Sequence, residues 1–168
     1  MNPTVPLVDL DKETLAYLRR VGAPVSNLYR ILGNHPTLLK AWVDFAWTLR
    51  GEAKTPRRLR ELIILRCAQL AGSDYQWNDH SVMAAAAGVE GAQIDALDGW
   101  PTAPEFDDEE RLLLQFTDEV VAGRVGDDVL EALQRRYRPD AIVELTMTAA
   151  FYVMVPRILD ALRIPHDG

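Results

Sequence analysis

The sequence predicts an all-α protein, a compact bundle of about seven to nine helices, and three observations carry that expectation. Apolar residues recur at three- and four-residue intervals along most of the chain. No stretch sustains the alternation of a half-buried strand, and glycine and proline fall between helix-sized segments. With 168 residues, 48% of them hydrophobic, residues 1–168 have enough apolar material for one compact domain.

The first helix, about Lys12 to Val21, ends at Gly22-Ala23-Pro24, and the second runs from Ser26 to about Gly33. Pro36 suits the first turn of a third, which reaches about Arg50 with Leu39, Trp42, Val43 and Trp47 on one face. After the loop Gly51 to Lys54, Thr55 is placed to cap and Pro56 to start a fourth helix extending to Ala71. This helix is apolar on nearly every side from Leu62 onward, which marks a buried central element. Gly72 ends it, and a fifth follows from Asp74 to Ala87. A shorter helix over Glu90 to Leu97 leads to the loop Gly99 to Pro104, either a lid or a connector. Helices at Asp107 to Ala122, Asp127 to Arg136 and Pro139 to Leu162 complete the chain, with Pro156 expected to kink the last.

Charge and composition narrow the partners. A net charge of −7 opposes attraction to nucleic-acid phosphates and to an anionic membrane surface, which leaves a small-molecule substrate as the expected partner class. Wholly apolar runs such as Ala149 to Pro156 fall short of the roughly 20 residues that cross a bilayer. Met1 to Pro6 carries no leader pattern, so the cytoplasm is the expected location. Cys67, the single cysteine, cannot form an intrachain disulfide and reads as a small core residue.

One constellation stands out. Glu61 falls on the apolar side of its helix beside Ile64, Leu65 and Ala68. Two readings follow: an acid whose pKa burial raises toward neutrality, or an ion pair with Arg57 one turn earlier. Ser73 and Gln76 have the S-x-x-Q spacing of a capping box, which accounts for both without a substrate. Trp77 and His80 lie one turn apart, and His80 is a core histidine or a proton-transfer group. No second His or Cys stands at ligand spacing, so no metal is expected, and no cofactor motif is present. Lys54, Arg57, Arg58 and Arg60 read as a solvated helix start, with an anion-binding or subunit-contact patch as the lesser alternative.

The runs Arg60 to Arg66 and Gly72 to His80, followed by Ala84 and Gly88-Val89, resemble the carboxymuconolactone decarboxylase family, and in particular its alkylhydroperoxidase D-like branch. Thiol peroxidases of that family carry Glu, then C-x-x-C at a helix start, then His. The matching positions here are Glu61, Ser73, Gln76 and His80, so both thiols are missing. The resemblance implies a homo-oligomer, trimer or hexamer, with sites near subunit contacts. It also implies a decarboxylase-like alternative that needs neither thiol nor metal.

Three functional readings follow. The first is a cofactor-independent proton-transfer enzyme that decarboxylates, isomerises or eliminates from a small carbonyl or lactone compound. Glu61 and His80 would be catalytic, and Ser73, Tyr75, Gln76 and Trp77 would bind substrate. The second is a non-catalytic oligomeric binding or scaffold protein, in which Glu61, the arginines and His80 form a buried network. The third, an alkylhydroperoxidase activity, is disfavoured by the missing cysteines.

Overall fold

The computed structural model describes residues 2–167 and contains nine α-helices and one 3₁₀ turn among them. The chain groups into two compact units, residues 1–53 with 157–168, and residues 54–156.

In the first unit, α1 (Lys12–Val21) starts where the Asp11 carboxylate accepts from the Thr14 amide at 2.7 Å. Ser26 caps α2 (Asn27–Leu32), and Pro36 opens α3 (Pro36–Gly51) behind His35, whose Nδ1 accepts from the Leu38 amide. These helices bury Leu18, Ala23, Tyr29, Leu39 and Val43, with Trp42 and Trp47 packed partly buried against them. Thr4 is fixed by two bonds to the end of the chain's last helix, its amide to the Leu162 carbonyl and its hydroxyl to that of Ala161.

The second unit is organised around α4 (Arg57–Ala71), which packs against α5 (Asp74–Ala86) and α7 (Asp108–Ala122). Every residue of α4 from Leu59 to Ala68 is buried; the apolar stretch expected to be buried from Leu62 onward is so as far as Ala68, while Leu70 and Ala71 at its end are exposed. Leu62 and Leu65 join Ala84, Val89, Leu97, Trp100, Phe106 and Leu114 in one core that Trp77 borders. A short α6 (Gly91–Ala96) with its 3₁₀ turn, α8 (Asp127–Arg136) and α9 (Pro139–Ala161) complete the order. α9 runs on through Pro156 and is apolar and long enough, by composition alone, to cross a bilayer; 44% of its most apolar stretch is buried inside the protein.

Two expectations are corrected here, and an open one is narrowed. Thr55 does not cap α4: Pro56 holds the cap position without a side-chain bond, while Thr55 donates its amide (2.8 Å) and hydroxyl to Glu144. The arginines at the start of α4 are not a solvated patch. Arg57 pairs with Glu61, Arg58 with Glu110, and the buried Arg60 with Glu144 at 3.5 Å, because half-burial makes each cation require a carboxylate. The Gly99 to Pro104 segment is a connector: Arg111 donates to the carbonyls of Trp100, Pro101 and Ala103, and Trp100 Nε1 donates to Asp118 at 3.2 Å.

The turn between α4 and α5 sets the position of everything on α5. Gly72 has φ 61°, in the left-handed region, while its own amide returns to Gln69 and that of Ser73 to Ala68. Gly72→Ala is expected to cost about 1 kcal/mol in urea unfolding, from left-handed strain. Leu65→Ala, which empties a fully buried core position, is expected to cost about 2–5 kcal/mol. An unchanged unfolding midpoint in the first variant would remove the argument that this turn is conformationally demanding.

Candidate functional site

The site lies where α5 folds back against α4. Ser73 starts α5 by accepting the Gln76 amide at 3.4 Å, so half of the expected capping box is present. The other half is absent, because the Gln76 side chain leaves the cap and donates its Nε2 to the Ile64 carbonyl of α4 at 3.1 Å. That bond crosses from helix to helix. Gln76, His80 and Ala84, spaced four residues apart, form the buried face of α5.

Glu61 has no solvent exposure. Its Oε2 lies 2.7 Å from His80 Nδ1, and its Oε1 forms an ion pair with the Arg57 guanidinium one turn back. Burial pushes the Glu61 carboxyl up, but the His80 hydrogen bond and the positive charges of His80 and Arg57 together hold it below the usual carboxylate value. Of the two readings of Glu61, the carboxyl raised toward neutrality is therefore corrected and the ion pair with Arg57 is present. His80, 19 residues away in sequence, outweighs desolvation together with Arg57, and no local pattern displays the histidine. With Glu61 held as a carboxylate, the proton in their bond belongs to His80 Nδ1, which donates it.

Tyr152, from α9, meets the His80 ring edge to face with centroids 4.9 Å apart. Sequence reasoning did not place Tyr152 in the site. A faint signal existed in the four-residue spacing of Glu144, Thr148 and Tyr152 along one face of α9, the latter two being buried. Arg57 is half-buried, and its other Nη2 contact is the Met83 sulfur at 4.0 Å.

The structure thus joins Glu61 and His80 and sets Gln76 one turn from His80 on the same face. It leaves Ser73 at the cap, Tyr75 half-buried in the first turn, and Trp77 bordering the Leu62 and Leu65 core. Gln76 Oε1 is buried and makes no hydrogen bond among the described residues. No group of three or more His, Cys, Asp or Glu able to hold a metal ion occurs among the described residues. Cys67 is 1% exposed, its thiol 3.7 Å from the Ala149 carbonyl.

The uncharacterized protein YnjA of Escherichia coli (strain K12) is 26% identical over 124 residues, which span 73% of this chain and 68% of that protein. An alkylhydroperoxidase AhpD core structure, an uncharacterized peroxidase-related protein from Ralstonia eutropha JMP134, superposes with a TM-score of 0.80. It is 16% identical and covers 98% of this chain and 92% of its own. The debrominase Bmp8, solved with 2,3,4-tribromopyrrole, superposes with a TM-score of 0.81 at 18% identity, covering 99% and 95%. At such identities the two structures establish an alkylhydroperoxidase D-like fold and nothing finer. The carboxymuconolactone decarboxylase family model matches residues 36–119, and its match supports an enzymatic or alkylhydroperoxidase-like role. With 84 of its 168 residues matched in that way, the chain belongs to the carboxymuconolactone decarboxylase family.

Proposed function

We propose that this protein is a cofactor-independent proton-transfer enzyme acting on a small carbonyl or lactone compound, by decarboxylation, isomerisation or elimination. One observation carries the reading: a fully buried carboxylate at 2.7 Å from the Nδ1 of a buried histidine. In this arrangement His80 takes and returns the proton through Nε2. Glu61 orients the ring and stabilises the imidazolium that forms, without itself exchanging protons. Both residues keep the importance the sequence suggested, while the role of Glu61 moves from acid to positioning residue.

Gln76 supports a polar substrate. A buried amide oxygen without a protein partner costs about 1–3 kcal/mol, and a ligand O–H or N–H bound one turn from His80 would recover that cost. Tyr75 and Trp77 flank Gln76 in sequence, and Ser73 fixes the first turn that presents it. The debrominase complex supports the size class, since a protein of this fold is seen with a small ring compound, 2,3,4-tribromopyrrole. A thiol peroxidase is disfavoured, because the chain has one cysteine and it is buried.

A non-catalytic reading is favoured by the same closure that makes the pair so well held: Arg57, Glu61 and His80 form a network that would fix the packing of α4 and α5 whatever the ligand. Turnover distinguishes the two. On a panel of carboxylated lactones and β-keto acids followed by release of carbon dioxide or by ring absorbance, His80→Gln is expected to lower kcat by about 10²–10⁴-fold with little change in KM. Gln76→Leu is expected to act mainly on KM. Equal turnover by wild type and His80→Gln on every compound that reacts would leave only the structural reading.

Stability against pH gives a second check. The folded pKa of Glu61 lies below its unfolded value, so its contribution is complete above the unfolded pKa and disappears as pH falls through the folded one. The melting temperature of the wild type is expected to drop on acidification below about pH 4, and Glu61→Gln, which cannot ionise, is expected to show a shallower drop from a lower starting value. Parallel curves for the two proteins would mean that the carboxylate charge is not what the site holds.

A further inference from the structure

A histidine serves as a base only while its imidazole is unprotonated, and a carboxylate beside it works against that state. An opposite charge at close range favours the imidazolium by about 1–3 pH units. Glu61 Oε2 stands 2.7 Å from His80 Nδ1, with the carboxylate fully buried and the imidazole nearly so, and solvent therefore screens little of this attraction. Left to themselves the two would settle as an ion pair, and His80 would already hold the proton it is meant to take.

Arg57 changes this balance. Its guanidinium pairs with Oε1, the carboxylate oxygen that His80 does not use, and the same Nη2 lies 4.0 Å from the Met83 sulfur of α5. Arg57 and Glu61 together carry no net charge, so the imidazole meets a neutralised carboxylate rather than a bare one. The other charged groups around the pair have carboxylates or cations of their own. On α4, Arg60 is buried and matched at 3.5 Å by Glu144 of α9, while Arg58 and Arg66 reach Glu110 and Asp118 of α7. From α9, Tyr152 meets the imidazole edge to face. We propose that Arg57 is a positioning residue of the proton-transfer site: by neutralising Glu61 from its far oxygen, it lets the carboxylate orient the His80 ring without holding the imidazole in its charged form. This role rests on His80 serving as the base described above. It asks more of Arg57 than packing does, since a structural clamp needs the contacts to Glu61 and Met83 but not their effect on the next residue along.

Nitrogen NMR of the full chain, with the imidazole nitrogens labelled and His80 assigned by the signal that His80→Gln loses, reads the proton on His80 directly and needs no substrate. In the wild type His80 is expected to be largely unprotonated at about pH 7.5. Arg57→Gln, which can still donate to Glu61 but carries no charge, is expected to raise the His80 titration midpoint by about one pH unit. Arg57→Lys is expected to return it toward the wild type, because both contacts of Arg57 run through a single nitrogen and a point charge can replace it. With any compound that turns over, the acid limb of kcat/KM for Arg57→Gln is expected to move up by the same amount, with an alkaline plateau near that of the wild type. An imidazolium in the wild type at about pH 7.5 overturns the proposal even if neither variant folds. So does a midpoint that Arg57→Gln leaves in place, or one that Arg57→Lys fails to restore. Failure of the reaction is read separately: a midpoint that moves as expected while His80→Gln turns over like the wild type keeps the hold of Arg57 on His80 and removes the proton-transfer reading.

Discussion

A carboxylate with no access to water has to be charged in company or not charged at all, and the second unit is arranged around that constraint at Glu61. An isolated buried charge costs several kcal/mol even after relaxation. Here Arg57 compensates from one turn back on the same helix, and His80 from the next helix. The first partner comes free with helical spacing. The second requires α5 to dock in one register on α4, which in turn depends on the left-handed turn at Gly72 and on the Gln76 amide reaching the Ile64 carbonyl. A polar interaction of this kind contributes less to net stability than the surrounding Leu62 and Leu65 core, yet it discriminates strongly among registers, since a slip strands a charge.

The same solution recurs along α4. Arg58 reaches Glu110, Arg60 reaches Glu144, and Arg66 holds Asp118 through two parallel bonds of 2.6 and 2.9 Å. The central helix of the unit is thus apolar on its packing faces and fastened by guanidinium groups to carboxylates on α7 and α9. Arginine suits this use because its fork keeps several donors engaged while the stem packs against apolar neighbours. Glu110 serves twice, also accepting from the Asp107 amide in the capping box that starts α7. One carboxylate therefore couples the start of a helix to the middle of the core.

This explains which features the sequence displayed. Helix existence and ends were legible because their causes are local: Asp11 and Ser26 at starts, Gly22 and Gly72 at ends, Pro36 in a first turn. The pairing of Glu61 with Arg57 was legible for the same reason. The features that were not legible all depend on partners remote in the chain. Arg60 reads as surface until Glu144 is found beside it, and Arg58 finds Glu110 at a separation of 52 residues. Gln76 reads as a capping residue until α4 offers a carbonyl, and Tyr152 acquires a role only once α9 meets His80. The pKa direction of Glu61 failed likewise, because burial is visible in a hydrophobic pattern and the compensating imidazole is not.

The exchange of two thiols for Ser73 and Gln76 is more than a loss of redox chemistry. A thiolate at a helix start uses the N-terminal dipole to lower its pKa, and serine in that place uses the same amides for capping alone. Glutamine adds what cysteine lacks, an amide whose donor ties α5 to α4 while its oxygen stays buried without a hydrogen bond among the described residues. The Glu61–His80 pair does not depend on a thiol for its own logic, since an ionised carboxylate fixes the imidazole tautomer with or without sulfur nearby. Structural and chemical uses of the pair are then compatible rather than rival. The rigidity that suits a packing network is also what a general base needs, because a ring held in one orientation and one tautomer presents the same nitrogen at every encounter.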